Sequence, residues 1–476
     1  MAKIECSDYL LSQLDEMADL IERLNETYTY ASILGCDTKG KTFSISKNEM
    51  TIQDYPDSER GFVVRLLHHG RYFEYSFNDF ENSNILEEKV HRLVQEDLQI
   101  QKEANLENYD HILCHDDLRY ESSDCMVQET LESKGIDEMV KLLSRLKDKV
   151  MAMDSRIINV KIQCNYIHVS KAFFSQNKEL TQGYLITEGV VLVTVKDGNV
   201  MKTESGSVGG MVGLEILESL DQKAKEVANN ALELLNSKPM IPGVYDIICA
   251  PEVSGLIAHE AFGHGVEMDM FVKNRALAKD YIGKQVASSL VTMVDGARPK
   301  KQVASYLFDD EGNIGQETVL IKNGILVAGI SDEASALRLN KTPTGNGRRE
   351  SFERKAYSRM TNTYFCSGTS KLEDMIASIS HGFLLEGVLS GMEDPKHWGI
   401  ECSVAKAREI VDGKLTGQIY SPVILTGNVI ELLQSISMVS NGQEVLDGAG
   451  SCGKGYKEWV KVSDGGPYLK AKARLG

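Results

Sequence analysis

The segment that decides the fold runs from residue 244 to residue 267 and reads VYDIICAPEVSGLIAHEAFGHGVE. Its first part, 244–250, is a mostly apolar run that predicts a buried strand. Pro251 ends this strand, and Ser254 is the predicted N-cap of a helix that carries the residues after it. Strand, short turn and helix thus bring the polar residues of 259–267 into an apolar setting, which is how many catalytic sites are mounted.

The polar part of this segment has the composition of a metal site. His259 and His264 carry imidazoles, which are preferred zinc ligands, and Glu260 directly follows the first of them. A free carboxylate beside a metal can take a proton from water. Two histidines this close also occur by chance, and a helix broken by glycines can simply end there. The two histidines alone therefore leave metal binding open.

The spacing of the histidines differs from the common pattern. They are five residues apart, whereas the familiar metalloprotease helix has them four apart on one face. At about 100° per residue, the two rings would point roughly 140° apart on a regular α-helix. A shared metal therefore requires a local widening, such as a π-type turn with i→i+5 hydrogen bonding. Gly263 and Gly265 flank His264, and glycine tolerates such a distortion.

A zinc site needs a third protein ligand, and the sequence offers two main candidates. Glu267 lies three residues after His264, within reach on a continuing helix, and Asp269 is close behind. Cys452 lies in the glycine-dense segment GAGSCGKG at 448–455, which predicts an exposed, flexible loop. A cysteine in such a loop is available for metal binding or redox chemistry. From the residues alone, Glu267 and Cys452 are equally attractive.

Three other segments concentrate polar groups. TGNGRRES at 344–351 and SRMTNTY at 358–364 predict either a solvated surface loop or a loop that grips a peptide backbone or a substrate carboxylate, for which arginine is suited. A phosphate loop is not indicated, because the required lysine and following helix are missing from the sequence. A second metal site at His111–His115 is disfavoured, because this acidic stretch offers no fourth ligand.

Length and composition predict a soluble globular protein of two or three domains. The chain has 476 residues, of which 42% are hydrophobic and 25% charged, and its net charge of −17 argues against a nucleic-acid backbone as principal partner. No segment has the length of a membrane span or the apolar core of a signal peptide. The nine cysteines show no paired spacing, so we expect free thiols in a reducing cytoplasm.

Hydrophobic periodicity predicts an α+β chain in three parts. Residues 1–110 and 111–238 are two smaller regions of helices and antiparallel strands, and 239–476 is a larger mixed domain that carries the histidine motif. The order helix, strands, helix occurs in both smaller regions. The predicted elements are helices at 6–24, 84–104, 137–153 and 214–236, strand-rich blocks at 28–79, 157–207, 318–328 and 403–411, and an acidic connector at 105–135.

Taken in order, these motifs resemble those of the TldD/PmbA family of bacterial and archaeal metalloproteases, and the resemblance covers nearly the whole chain. It is carried by HEAFGH at 259–264, TGNGRR at 344–349, RMTNTY at 359–364 and SCGK at 451–454. The family has two subunit types, of which only the TldD type keeps the metal motif, and this chain resembles that type. One departure is Lys457–Pro467, which follows the family's ending only loosely.

The resemblance implies a site and an activity. By it, His259, His264 and Cys452 are the zinc ligands, Glu260 is the catalytic glutamate, and Glu267 takes a role behind the ligands. It implies hydrolysis of peptide bonds in unfolded peptides and leader segments, within a chamber that a dimer encloses. The second subunit would be another copy of this chain or a PmbA-like subunit.

Two further expectations concern the reaction. Arg359, Asn362 and Tyr364 are the expected helpers that stabilise the developing oxyanion. An alternative enzyme resemblance is dipeptidyl peptidase III, which shares His-Glu-x-x-Gly-His, but that match ends with the hexapeptide and its third ligand is a downstream glutamate. A non-enzymatic alternative is a regulatory or scaffold subunit, against which the intact motif residues argue.

Overall fold

The computed structural model describes residues 1–80, 82–103, 116–298, 301–442, 445–455 and 457–476. These stretches contain both helices and strands, and most of the strands pair in antiparallel sheets. The predicted α+β class is confirmed. None of the helices within them combines the length and the apolar character that crossing a membrane requires.

The first half of the described chain is built on one large sheet, in which nine strands take part. The sheet is centred on an antiparallel pair of long strands, β2 and β7, and most of its other pairings are also antiparallel. One exception is β6, which runs parallel to β8. The strands are β1 (Ala2–Ile4), β2 (Tyr30–Ile45), β3 (Met50–Asp54), β4 (Glu59–His68), β5 (Arg71–Phe77), β6 (Arg119–Val127), β7 (Ile157–Ser175), β8 (Lys178–Asp197) and β9 (Val200–Gly210).

Amphipathic helices cover this sheet. They are α1 (Asp8–Leu11), α2 (Leu14–Thr27), α3 (Ser83–Glu103), α4 (Leu131–Lys134), α5 (Ile136–Met151) and α6 (Leu217–Leu234). In α2, Met17, Leu20, Ile21 and Leu24 recur at helical spacing and are buried, and the helix packs against β2 and β7. Burying each such side chain stabilises the fold by about 1.5–3 kcal/mol, so the periodicity that predicts the helix also fixes the face that it buries.

Most predictions for this half are confirmed, and one is wrong. The order helix, strands, helix occurs twice, as α2, β2–β5, α3 and as α5, β7–β9, α6. The predicted connector at 105–135 contains the strand β6, which pairs with β1 and β8 far away in the chain, and such long-range pairing leaves little local signal. His111–His115 lies outside the described residues. The boundaries of the three predicted domains stay a prediction, although both N-terminal regions contribute strands to the one sheet.

The second half contains two further sheets. A seven-stranded sheet has the order β10-β17-β18-β20-β24-β21 with β19 beside β18, and a six-stranded sheet has the order β13-β12-β11-β16-β23-β22. Their strands are β10 (Gly243–Cys249), β11 (Met293–Gly296), β12 (Glu317–Lys322), β13 (Ile325–Leu326), β16 (Asn362–Phe365), β17 (His381–Asp394), β18 (Gly399–Val411), β19 (Lys414–Tyr420), β20 (Val423–Asn428), β21 (Met438–Val439), β22 (Val445–Lys454), β23 (Lys457–Gly466) and β24 (Leu469–Leu475), while β14 (Gly347–Arg348) and β15 (Tyr357–Ser358) form a separate pair.

Short helices connect these strands, and the first of them lies between the two sheets. The helices are α7 (Pro251–Ile257), α8 (Met268–Val272), α9 (Glu333–Arg338), α10 (Leu372–Ala377) and α11 (Val429–Gln434). Helix α7 packs against β17 of the larger sheet and against β22 and β23 of the smaller one. A β-carbon on Gly255 would stand 2.5 Å from the backbone nitrogen of Gly465, so only glycine permits this close approach to β23.

The start of α7 differs from the prediction. Its N-cap is Ala250, and Pro251 occupies the first helical turn. Ser254 lies within the helix, where its hydroxyl donates to the carbonyl of Cys249 at 3.4 Å. The predicted cap at Ser254 is therefore wrong. Proline is favoured at the first position of a helix, where its missing N–H costs nothing, so the residue that ends the strand also begins the helix.

Candidate metal centre

The two motif histidines lie on a widened turn. Residues Ala258–Gly263 form a π-helix between α7 and a 3₁₀ turn at His264–Val266. The backbone N–H of His264 donates to the carbonyl of His259, five residues earlier. The two imidazole rings consequently lie edge to face, with centroids 5.1 Å apart and planes at 89°. The predicted i→i+5 turn is confirmed.

Tight packing holds the widened turn in place. Phe262 is fully buried and contacts Trp398, with ring centroids 6.1 Å apart. A β-carbon on Gly263 would stand 2.1 Å from the sulfur of Met360. Any side chain at position 263 would displace the buried Met360, so glycine lets the turn lie directly against this residue, which precedes β16.

Cys452 reaches the histidines from the edge of the smaller sheet. Its segment is not an exposed loop but strand β22, in which Cys452 stands opposite Val460 of β23. The residue is only 6% exposed, and its Sγ lies 3.3 Å from Nε2 of His264. The prediction of an exposed loop is wrong, because glycine-rich sequence has a weak strand signal and this strand forms through its pairing with β23.

The ligand atoms of His259, His264 and Cys452 all lie within 4.8 Å of one another, close enough to hold one metal ion. Two imidazole nitrogens and a sulfur are donors that zinc prefers, and three protein ligands leave a fourth position open. Burial alone would raise the pKa of the Cys452 thiol, but the adjacent His259 and His264 outweigh it and lower that pKa to about 5. The sulfur is thus held as the thiolate, which is the form that binds metals.

Glu267, the other candidate for a third ligand, lies behind His264. One oxygen of its buried carboxylate is 3.3 Å from Nδ1 of the imidazole, on the side away from Cys452, and 3.0 Å from Nζ of Lys454. Burial would raise the pKa of Glu267, but Lys454 and His264 hold it well below its usual range. Asp269 is paired with Lys454 at 2.8 Å and with Lys273 at 2.9 Å.

Glu260 directly follows His259 on the π-helix. Its side chain is partly exposed, as is the ring of His264, of which 19% is accessible. Strand β17 forms the adjoining wall, where Gly391 lies against Glu260. Further along the same strand, the carboxyl of Glu393 is buried beside Gly265, and burial raises its pKa well above its usual range. No local sequence pattern marks β17 as part of the site. Its pairing within the seven-stranded sheet brings it there.

The polar segments 344–351 and 358–364 do not form a solvated surface loop, although part of the first segment lines a cavity. They are largely buried and satisfy one another around Asp295. This carboxylate accepts the backbone N–H of Thr361 at 2.8 Å and the amide of Asn346 at 2.8 Å. The hydrogen-bonding groups that made these segments candidates for substrate contacts thus position β16 within the core.

The three expected oxyanion helpers have partners inside the protein. Arg359 is completely buried and donates to Glu267, Cys452 and Glu458. The side-chain amide of Asn362 donates to the carbonyl of Gly296 and to Ser305, and the hydroxyl of Tyr364 donates to Glu317. The structure does not place these groups where a substrate could meet them, because the buried polar network of the core uses their donors.

Comparisons with known proteins identify relatives of this chain. The family model of the PmbA/TldA metallopeptidase C-terminal domain matches residues 242–473, which include all three ligand candidates. A protein from Buchnera aphidicola named as a metalloprotease TldD homolog is 37% identical over 251 residues, or 53% of this chain and 52% of that protein. The chain thus spans about half the length of this relative.

A second relative and a solved structure cover more of the chain. A metalloprotease TldD homolog from Haemophilus influenzae is 32% identical over 349 residues, which cover 71% of this chain and 72% of that protein. The crystal structure of TldE from Thermococcus kodakarensis is similar over 97% of this chain and all of that chain, with a TM-score of 0.75 and 17% identity. At that identity, the likeness to the solved structure shows a shared fold.

Proposed function

Because the chain belongs to the PmbA/TldD family of metallopeptidases, we propose that it is a zinc-dependent peptidase that hydrolyses peptide bonds in unfolded or leader-peptide substrates. One observation carries the proposal. The ligand atoms of His259, His264 and Cys452 lie within 4.8 Å of one another, and Glu260, which directly follows the first histidine, has a partly exposed side chain.

Each residue has a proposed role. His259, His264 and Cys452 would hold the zinc ion, which when bound polarises a carbonyl and lowers the pKa of water to about 7. Glu260 is the general base: its carboxylate accepts a proton from the attacking water and passes that proton to the leaving amine. Glu267 holds the Nδ1 side of His264, so that Nε2 faces Cys452.

Partner and compartment are further parts of the proposal. We place the site within a dimer, formed by a second copy or by a PmbA-like subunit, and the fold that the chain shares with the solved TldE supports a partner of the same architecture. The net charge of −17 does not suit binding to nucleic acid. The seven buried cysteines of the described residues are free thiols, which suits a protein that works in the reducing cytoplasm.

Elemental analysis and a cleavage assay test the proposal together. Purified wild-type protein, alone and mixed with its presumed partner, should contain about one zinc per site and cleave an unstructured peptide, and a chelator should stop the cleavage. Glu260→Gln should keep the zinc and lose hydrolysis, because the amide cannot accept the water proton. Full turnover by Glu260→Gln would remove Glu260 from the role of base.

The alternative function is a catalytically silent regulatory or scaffold subunit of a larger protease. It predicts that this chain binds no zinc and, by itself, shows no chelator-sensitive cleavage. In a mixture with the partner, it predicts no cleavage above the partner's own activity. A mixture of the partner with the Glu260→Gln variant separates the two functions. The peptidase proposal predicts that this mixture loses cleavage, whereas the scaffold alternative predicts that its cleavage is unchanged.

A further inference from the structure

Arg359 connects the two parts of the chain that carry the metal-ligand candidates. It is one of the largest completely buried side chains of the described residues, and its guanidinium makes three kinds of contact. Nη2 donates to the carbonyl of Cys452 at 2.9 Å, and Nη1 donates to the carbonyl of Glu458 on the neighbouring strand. Nε donates to Oε1 of Glu267 at 3.2 Å. One planar group therefore holds both strands of the β22–β23 pair and the carboxylate of the histidine segment.

Glu267 extends this connection to the imidazole. Its second oxygen lies 3.3 Å from Nδ1 of His264 and also 3.0 Å from Nζ of Lys454, which is itself on β22. With Nδ1 held in this way, Nε2 of His264 faces Sγ of Cys452 at 3.3 Å. The backbone of Cys452, the guanidinium, the carboxylate and the imidazole thus form an unbroken series of polar contacts.

We propose that Arg359 and Glu267 are positioning residues that set the metal affinity of the site by joining the Cys452 strand to the histidine turn. The inference rests on the proposed zinc site but not on the identity of any substrate. A ligand held at the right distance and orientation before the metal arrives loses less freedom on binding. Outer partners of ligating histidines commonly change metal affinity by about 10–100-fold.

The geometry also separates arginine from lysine at position 359. The guanidinium of arginine donates to the Cys452 carbonyl and to the Glu267 carboxylate at the same time. The single ammonium group of lysine can reach only one of them. Arg359→Lys keeps the positive charge that Glu267 needs but breaks the link between the two segments. Arg359→Met removes both the charge and the link.

Zinc titration tests the inference without any activity assay. The dissociation constant is measured by competition with a chromophoric chelator for the full-length wild type, Arg359→Met, Arg359→Lys and Glu267→Gln. We expect zinc binding weakened by about 10–100-fold in Arg359→Met, with a smaller loss in Arg359→Lys and Glu267→Gln. In the cobalt-loaded protein, the thiolate-to-metal absorption band should weaken or shift in Arg359→Met, because Cys452 is no longer held toward His264.

A matched variant controls for the loss of a buried arginine. Arg65 is also buried and pairs with Glu74 at 2.9 Å and with Glu333 at 3.3 Å, but it lies on strand β4 and touches no ligand candidate. Arg65→Met should lower thermal stability and leave both the zinc affinity and the cobalt spectrum unchanged. An equal loss of zinc affinity in Arg65→Met and Arg359→Met would make the effect one of general stability and overturn the inference.

The remaining outcomes separate the inference from the proposed function. A wild type that binds no zinc contradicts the proposed metal site itself. A wild type that binds zinc, together with an Arg359→Met variant of unchanged affinity, contradicts only the positioning role. If Arg359→Met does not fold, the affinities of Arg359→Lys and Glu267→Gln decide, and wild-type values in both overturn the inference.

Discussion

Gly391 lies directly against Glu260: a β-carbon at position 391 would stand 2.4 Å from Cγ of the glutamate and 2.8 Å from Cδ1 of Leu256. The strand that carries Gly391 thereby limits where the carboxylate of the proposed base can go. Leu256 belongs to the buried helix α7 and can move little, so the partly exposed side chain of Glu260 would have to give way. The absence of a side chain at 391 sets the position of Glu260.

Gly391→Ala should therefore reduce hydrolysis while zinc binding persists. The added methyl group pushes the Glu260 side chain away from its place beside His259, and a displacement of about 1 Å in a catalytic group can lower the rate by about a hundredfold. The measurement is kcat together with zinc content. The control is Gly427→Ala, since Gly427 also lies in a strand but has no atom within 4 Å of its would-be β-carbon. Wild-type kcat in Gly391→Ala would contradict the expected displacement.

Cys452→Ser should lower the zinc content. A serine hydroxyl is a poorer zinc ligand than a thiolate, so the site would keep two imidazoles and lose its sulfur donor. Zinc per chain is measured by elemental analysis after dialysis against a weak chelator. The control is Ser451→Ala. Ser451 is next to Cys452 in the strand and lies on its opposite face, so this substitution should leave the metal in place. An unchanged stoichiometry in Cys452→Ser would return Glu267 to consideration as the third ligand.

Removal of zinc should leave the protein folded. The ligand atoms lie within 4.8 Å of one another, and the hydrogen bonds of Arg359 join the strand of Cys452 to Glu267. Bound zinc should still stabilise the native state, by about 2.7 kcal/mol at a free concentration one hundred times the dissociation constant. Circular dichroism and the melting temperature, with and without chelator, measure this. A collapse of the helical signal on chelation would show that the site is not preformed.

Glu59→Gln should stabilise the protein, and the gain should depend on pH. Burial raises the pKa of Glu59 from 4.5 to about 7 in the native state, so between these values the native state holds a proton that the unfolded state has lost. Wild-type stability consequently falls as the pH rises through this range, whereas the glutamine variant has no such loss. The difference in free energy of unfolding should be near zero below pH 4.5 and reach at most about 3 kcal/mol above pH 7. A difference that is constant with pH would contradict this account.

Local patterns predicted a large part of the fold. Helices α2 and α5 bury apolar residues at regular helical spacing, and these helices lie where the periodicity places them. The π-turn followed from geometry, because two ligands five residues apart can face one metal only on a widened helix. In these cases, the determining interactions lie within a few residues of one another, and the sequence displays them directly.

Long-range pairing accounts for most of what the patterns missed. Strand β22 is rich in glycine and becomes a strand only beside β23, and β6 pairs with two strands from distant parts of the chain. Arg359 looked like a residue for substrate contact because arginine suits carboxylate binding. Its burial depends on Glu267, which precedes it in the chain by 92 residues, and on Cys452, which follows it by 93. No short window contains these partners.

The distance along the chain between the ligand candidates has a consequence for the order of events during synthesis. His264 and Cys452 are 188 residues apart, and strand β22 gains its hydrogen bonds only when β23, which ends at Gly466, has also emerged. A ribosome making this chain exposes both imidazoles long before the thiolate. A zinc ion that meets the growing chain would find two of the three proposed donors, so the complete proposed site is available only after translation has passed β23.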